Sequence, residues 1–442
     1  MKIRKIAVTA CLAVMVALGF CPEASAGGKQ SPPPQLTEHG EKLQLKHEQM
    51  LAALRVDIIA ALPDLAESRK AALQNARSAL GALAEPALGS TATDVARYRE
   101  AKALAESNTM HSARALLGDL DDFLGSDDLD SKLVKVAILA HGTPRRLATF
   151  AEQGKEEEGL LDALFADEAL MKQILEAGGA AGGNYGQAMQ AYTAILQACD
   201  RARERDSIFQ RLALGTSIEL APRNRGREVE RYQHYEKAYL DGELDPAFKD
   251  MTAWECRMIT NGSRGNDQLA WMRDTLRTYR PDHIRNPDYK WRYTRIVKSD
   301  MPYRSTRKRP DLGSTSQYTL ALGGSCGPRA WFGRLSARAF GIPARKHPQI
   351  AHGAMSHWTP TGWVVNFGAW WSHSPGGLDF YLDSQAREFP DAYMQVLRVQ
   401  WIGDALGEDD VDHIHYGSGG GFWNQLAFRK KEAIVEDARI EK

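Results

Sequence analysis

Cysteine is scarce in this sequence, with five cysteines among 442 residues. Two of them fall within the first 26 residues, which leaves Cys199, Cys256 and Cys326 in the rest of the chain. This number argues against a fold held together by disulfides, because a chain of this length can bury ordinary hydrophobic cores. An odd number of cysteines leaves at least one thiol free. A Cys199–Cys256 bridge with Cys326 reduced is one arrangement, and the sequence leaves the pairing open.

An excess of charge of either sign is also absent, because 56 Lys and Arg residues balance 56 Asp and Glu residues. This balance excludes the overall basic charge of a nucleic-acid-binding protein, so no nucleic-acid partner is expected. The local basic run from Arg304 to Arg309 is typical of a solvated loop. No apolar run after the first 26 residues approaches the roughly 18 residues that a membrane span needs, so no later transmembrane segment is expected.

The first 26 residues have the three-part layout of a secretory signal peptide. The basic start, Met1 to Lys5, is followed by an apolar run from Ile6 to Phe20 and by the small residues 24–26. We therefore expect cleavage near Ala26 and export to the periplasm or to the exterior of the cell. Lipidation of Cys21 is the alternative, but Phe20 is larger than the residue that a lipoprotein cleavage site requires.

The composition changes near residue 220, which predicts a domain of residues 27–220 and a second of residues 221–442. The first part is rich in Ala, Leu, Glu, Lys and Arg, with apolar residues three and four apart such as Leu51, Leu54 and Ile58. This spacing is typical of a helical bundle. The glycine-rich stretch 178–183 fits an ordinary helix connection or a hinge. In the second part Trp, Tyr, Arg, Gly and Pro become common and the Ala-Leu helical pattern fades.

Cys326 stands where a helix is expected to begin. Small residues precede it, Pro328 falls in the first turn, and Gly341 follows the last turn, which are the usual start and stop signals of a helix. At a helix N-terminus the unpaired backbone N–H groups favour a thiolate over a thiol, and they can also stabilise an oxyanion. The alternative is a structural cysteine packed between the helix and its neighbour.

A histidine and an asparagine follow Cys326 on segments that are expected to be strands. His352 comes after the stretch 341–345, Gly-Ile-Pro-Ala-Arg, and Asn366 comes after the Thr-Pro-Thr-Gly turn at 359–362. A cysteine on a helix, a histidine on one strand and an asparagine on the next supply a nucleophile, a base and a group that orients the base.

These segments resemble the transglutaminase-like superfamily, which shares the papain-like architecture. The resemblance covers about residues 250–400 and is carried by residues 323–331, 341–345 and 352–366. It implies an α+β fold, in which an N-terminal helical region precedes a catalytic domain with its core at about 315–400. In that domain a helix bearing Cys326 packs on an antiparallel sheet. It further implies Cys326 as nucleophile and His352 as general base and acid. Asn366 stands where the family usually has Asp, although papain-like enzymes use Asn in this role.

The register of the hairpin decides which histidine shares a face of the sheet with Asn366. If residues 359–362 form a type I turn with Gly at the left-handed position, Asn366 falls opposite Ser356 and shares its face with His352. With a tight two-residue loop the register slips by one residue, and His357 shares the face instead. We take His352 as the base and His357 as the alternative.

No metal or cofactor is expected. Successive strand histidines five residues apart, at 347, 352 and 357, lie on opposite faces, and no Cys-x-x-Cys or His-Glu-x-x-His spacing accompanies them. His413 and His415, followed by the glycines of 417–421, fit a loop near the end of the domain. Gln317, nine residues before Cys326, is a candidate donor to the oxyanion.

The expected function is exported, cysteine-dependent acyl transfer on peptide or protein amides through a thioester. Resolution of the thioester by water gives a hydrolase, either a peptidase or a deamidase, whereas resolution by an amine gives a transglutaminase. The expected substrates are peptides, proteins or cell-wall peptide, and the helical region is a candidate binding module for a protein partner. The alternative is a non-catalytic binding or scaffold protein that retains the fold. The fold alone does not specify the substrate.

Overall fold

The computed structural model describes residues 35–440, apart from 88, 224–225, 263–264, 306–307, 350–351, 375 and 409–419. The predicted signal peptide with its cleavage site, and His413 and His415, lie outside the described residues. Across the described part of the chain, no helix combines the length and the apolar composition that crossing a membrane requires.

The described chain is mostly helical. The α-helices are α1 (Glu38–Ala61), α2 (Glu67–Gly81), α3 (Ala92–Asp119), α4 (Asp121–Gly125), α5 (Asp130–Gly142), α6 (Pro144–Ala151), α7 (Lys155–Ala166), α8 (Glu168–Glu176), α9 (Tyr185–Ala198), α10 (Ile208–Leu220), α11 (Glu228–Leu240), α12 (Ala253–Thr260), α13 (Asn266–Tyr279), α14 (Pro281–Ile284), α15 (Ile296–Ser299), α16 (Thr315–Leu322), α17 (Cys326–Ala339), α18 (Gly377–Ala386), α19 (Pro390–Ala405) and α20 (Phe422–Ile440).

The predicted helices of the first half are confirmed. The apolar stripe of α1 faces the core, with Leu51 and Ile58 buried and Leu54 partly buried against the same cluster. The glycine-rich stretch 178–183 connects α8 to α9 and includes a short 3₁₀ turn. A side chain on Gly183 would meet the carbonyl oxygen of His141 at 2.5 Å, and its φ of 72° is left-handed, so this close turn requires glycine.

The second half is more helical than its composition predicts. Beyond residue 222 the chain forms α11 to α20, and the strands among the described residues are confined to 344–366. The aromatic residues of this half are compatible with helices because packing buries them. Tyr232 and Tyr235 of α11 are fully buried, and Trp254 of α12 is 6% exposed. Tertiary burial of large side chains outweighs their modest helix propensity, so the loss of the Ala-Leu pattern did not mark a loss of helix.

The antiparallel sheet has three strands, β1 (Ala344–Gln349), β2 (His352–His357) and β3 (Val364–Asn366), in the order β1-β2-β3. Helix α17 packs across β2 and β1, as predicted for the helix that bears Cys326. The predicted pairing of Asn366 with Ser356 is wrong, because Asn366 pairs with Met355. The cause is a tight loop of two residues, 360–361, closed by reciprocal backbone hydrogen bonds between Thr359 and Gly362.

The C-terminal helices return to the N-terminal bundle. Residues 380–406 contain most of α18 and all of α19. Helix α19 packs on α5, and α20 packs on α3. The contact between α19 and α5 includes a buried ion pair, in which Arg398 Nε and Nη2 lie 2.7 and 2.9 Å from the two carboxylate oxygens of Asp130. Lys172 of α8 adds a third bond of 2.7 Å. The boundary near residue 220 stays a prediction.

A second buried charge cluster joins α18, α19 and α20. Asp383 is fully buried, and its carboxylate lies 2.6 Å from Lys431 Nζ and 2.8 Å from Arg387 Nε. The hydroxyl of Tyr393 donates a third hydrogen bond of 2.7 Å to Asp383. Lys431 is itself 1% exposed. The two cations and the carboxylate therefore depend on one another, because Asp383 and Lys431 are almost completely removed from solvent.

Acidification is expected to weaken the contact between α19 and α5. Burial opposes ionisation of Asp130, but hydrogen bonds from Arg398 and Lys172 outweigh burial and hold the pKa of this carboxyl below its ordinary value. At pH values between the pKa of Asp130 in the folded chain and its pKa in the unfolded chain, the unfolded chain binds more protons. The stabilisation from this ion pair is therefore present above about pH 4, and it is lost as pH falls through the folded pKa. Urea denaturation between pH 7 and pH 3 tests this, with Asp130→Asn as the comparison. An equal acid dependence in both proteins would contradict the assignment.

Candidate functional site

The segment before Cys326 is fixed by a neighbouring stretch of chain. Helix α16 is followed by Gly323, whose φ is 77°, and a side chain there would collide with the carbonyl oxygen of Pro302. Gly324 then forms a bridge with Tyr303, through bonds from Gly324 N to Pro302 O at 3.1 Å and from Arg304 N to Gly324 O at 3.2 Å. Glycine is needed at 323 because its φ is left-handed and the backbones of the two segments lie in contact.

Cys326 is the first residue of α17, as predicted, and the structure shows it to be partly exposed. The helix ends where Gly341, with a φ of 76°, allows Gly341 N to bond Arg338 O at 2.9 Å and Ile342 N to bond Ala337 O at 3.1 Å. These paired bonds are a Schellman motif. At the other end, the first N–H groups have no partner within the helix, so Cys326 lies at the positive end of the helix dipole.

Strand β2 meets the N-terminus of α17 at a glycine. A side chain on Gly353 would lie 3.0 Å from the Cα of Gly327, 3.1 Å from its nitrogen and 3.4 Å from the carbonyl carbon of Cys326. A glycine inside a strand often marks such a close backbone approach, so Gly353 is a signal that the sequence contained and that sequence reasoning missed. The contact places the backbone of the residue before it, His352, next to the start of α17.

His352 is partly buried, and its Nε2 lies 2.8 Å from the carbonyl oxygen of Phe367. A carbonyl can only accept, so Nε2 carries the proton and the Nδ1 of a neutral ring keeps its lone pair. Phe367 has a φ of 67°, an unusual value for a residue with a bulky side chain. This backbone conformation directs a carbonyl at a histidine, and no feature of the sequence identified it beforehand.

Asn366 and His357 come together in the core, apart from His352. The amide nitrogen of Asn366 lies 2.8 Å from Lys290 O, 3.0 Å from Thr294 Oγ1 and 3.2 Å from His357 Nε2. His357 is 2% exposed, and its Nδ1 lies 3.0 Å from Trp358 O. Burial lowers the pKa of His357 despite nearby carbonyls, so its ring is neutral near pH 7. This pair fastens residues 290–294 to the sheet.

The other residues that the sequence singled out make structural contacts or are buried. Gln317 is the third residue of α16, and its Oε1 accepts a hydrogen bond of 2.5 Å from Ser314 N in a capping box. His347 is buried, with Nε2 3.1 Å from Trp370 O. Cys199 and Cys256 are free thiols rather than a bridge, and burial raises the pKa of both. No three potential His, Cys, Asp or Glu ligands gather at one point within the described ranges.

Arg329 is a neighbour of Cys326 that sequence reasoning missed. It lies three residues after Cys326 and therefore on the same side of α17. Its Nη2 donates a hydrogen bond of 2.7 Å to Val297 O, and its guanidinium carbon lies 5.2 Å from the ring centre of Tyr303. Burial lowers the pKa of Arg329, whereas the charges of Tyr303 and Cys326 oppose that change.

A cavity of about 1100 Å³ lies elsewhere, between the β2–β3 turn, α12 and the start of α19, and Cys326 is not among its lining residues. Two of its polar side chains have structural roles. Glu255 caps α12 through Thr252, and Arg387 is paired with Asp383. The size of this cavity is suitable for a ligand, but the side chains suited to covalent chemistry lie at the other end of the sheet.

Searches against protein-family models, curated proteins and solved structures found no match to this chain.

Proposed function

We propose that this protein is a cysteine-dependent enzyme that transfers acyl groups from peptide or protein amides, with Cys326 as nucleophile and His352 as base. The observation that carries this proposal is the close contact between Gly353 and the backbone of Cys326 and Gly327. Because of it, a partly exposed thiol at a helix N-terminus and a histidine with a fixed ring lie on adjoining elements. A nucleophile, a base and a group that orients the base are the minimum for this chemistry.

In the proposed mechanism Nδ1 of His352 removes the thiol proton as Sγ of Cys326 attacks the amide carbonyl carbon. The backbone N–H groups at the start of α17 stabilise the oxyanion. The imidazolium then gives its proton to the departing amine as the C–N bond breaks, which leaves a thioester on Cys326. Attack by water on the thioester releases an acid, whereas attack by a second amine forms a new amide. Either reaction returns the thiol.

The group that orients His352 in this proposal is the carbonyl oxygen of Phe367, in place of the predicted Asn366. The supporting observation is the 2.8 Å contact between His352 Nε2 and Phe367 O. The amide nitrogen of Asn366 is occupied by Lys290, Thr294 and His357. Its proposed role is to hold the chain behind the sheet, so that Phe367 keeps its conformation.

Alkylation by iodoacetamide tests the proposal. In the protein that begins at Gly27, we expect adducts at Cys326 well below the pH at which a free thiol reacts. We expect Cys326→Ala to abolish this labelling and His352→Gln to slow it about tenfold near neutral pH. The rate and position of the adduct are measured by peptide mass spectrometry from pH 5 to pH 9.

Cys199 and Cys256 are internal controls, because both are buried and burial raises the pKa of each thiol. His39→Gln is the matched control for His352→Gln, since His39 lies on α1 with its side chain 56% exposed. Ordinary thiol reactivity at Cys326 in the folded protein would overturn the enzyme proposal and favour a non-catalytic scaffold. If Cys326 is reactive, release of a labelled acyl group with and without an added amine distinguishes hydrolysis from transamidation.

A further inference from the structure

Two large aromatic side chains near the proposed site are exposed to solvent. Tyr303 is 64% exposed and Trp370 is 61% exposed. Most of the other tryptophans and tyrosines in the described ranges are buried or partly buried. Aromatic rings contribute large areas to binding surfaces, so an exposed pair beside a nucleophile is a candidate contact for a substrate.

Tyr303 lies on the cysteine side of the site. Its backbone forms a bridge with Gly324, two residues before Cys326. Its ring centre lies 5.2 Å from the guanidinium carbon of Arg329, a residue on the same side of α17 as Cys326. Both the backbone and the ring of Tyr303 are therefore positioned by residues next to the thiol.

Trp370 lies on the histidine side. Its carbonyl oxygen accepts hydrogen bonds from Gln349 Nε2 at 2.8 Å and from His347 Nε2 at 3.1 Å. Gln349 is the residue of β1 that pairs with His352. Trp370 also follows Phe367, the residue whose carbonyl binds His352, by three positions. Its backbone is thus held at the end of the sheet where His352 lies.

We infer that Tyr303 and Trp370 bind an aromatic group of the substrate on the two sides of Cys326 and His352, so that the preferred substrates are peptide amides with an aromatic side chain beside the reacting bond. This inference rests on the proposed function. The rings contribute by stacking and by excluding water from the amide, and they take no part in proton transfer. They are specificity-determining residues rather than catalytic residues.

The test compares two alkylating reagents, iodoacetamide and N-phenyliodoacetamide, which differ by one aromatic ring. Each rate at Cys326 is divided by the rate of the same reagent with free cysteine. We expect the phenyl reagent to be preferred about threefold to tenfold, the range for one aromatic contact. The preference should fall towards one in Tyr303→Ala or Trp370→Ala, and it should be retained in Tyr303→Phe and Trp370→Phe.

Leu104→Ala is the control, because Leu104 is also 64% exposed and lies on α3, away from α17. If Cys326 reacts rapidly but shows no preference for the phenyl reagent, the inference is overturned and the proposed function stands. If the preference is unchanged in both alanine variants, or falls equally in Leu104→Ala, the inference is also overturned. An unreactive Cys326 in the folded protein overturns the proposed function and, with it, this inference.

Discussion

Asp383→Asn is expected to lower the free energy of unfolding by about 3–5 kcal/mol, the cost of breaking a buried ion pair from one side. The substitution preserves the shape of the side chain and removes the carboxylate that Lys431 and Arg387 share. In the parent protein, burial opposes ionisation of Asp383, but the charges of Arg387 and Lys431 outweigh burial and hold the pKa of Asp383 below its ordinary value. The loss is measured from the midpoint and slope of urea denaturation at pH 7.

The control for this variant is Asp162→Asn. Asp162 pairs with Lys46 at 3.1 Å, but the two side chains are 58% and 46% exposed. An exposed pair contributes about 0–1 kcal/mol, so this control should unfold close to the parent protein. If both variants lose the same small amount, the cluster around Asp383 does not have the buried character that its geometry indicates.

Gly353→Val is expected to remove the effect of His352 on Cys326, with about a 100-fold loss of amide turnover, the loss typical of a misplacement of about 1 Å at a catalytic site. The added side chain would meet the backbone of Cys326 and Gly327, which already lies 3.0–3.4 Å from the position of a Cβ. The start of α17 must then move away from β2. Turnover of an aromatic peptide amide is the measurement.

A double variant tests whether the two changes act through the same contact. If Gly353→Val acts by separating Cys326 from His352, then adding His352→Gln should cause little further loss of turnover, because the interaction between His352 and Cys326 is already absent. Gly159→Val is the control, since Gly159 is exposed on α7 and a side chain there meets nothing within 4 Å. Losses that multiply in the double variant would show that Gly353 does not act through His352.

The sequence was sufficient to predict the elements that local signals specify. Cys326 begins α17 and Gly341 follows its end because the start and stop signals of a helix are local. The apolar spacing of residues 51–58 predicted α1 for the same reason. Helices such as α11 and α12 were missed because burial of residues such as Tyr235 and Trp254, which stabilises them, is set by distant parts of the chain.

The details of the site depend on features that are difficult to predict from the sequence. The loop within 359–362 is one residue shorter than the predicted loop, and this difference shifts the partner of Asn366 from Ser356 to Met355. The group that contacts His352 is a backbone carbonyl, at Phe367, and residue identity does not reveal where a carbonyl points. Gly353 was the readable signal, because a glycine inside a strand predicts close approach of another backbone.

The return of α19 to α5 has a consequence for how the chain acquires its structure. Arg398 and Asp130 are separated by 268 positions, and Arg55 of α1 donates a hydrogen bond to Asp404 O across 349 positions. Contacts between such distant positions close late and slow the search for the folded state. The face of α5 that α19 covers is left open until the C-terminal helices have been synthesised. A nascent chain that stops before residue 390 therefore exposes apolar surface, and it is a natural substrate for chaperones.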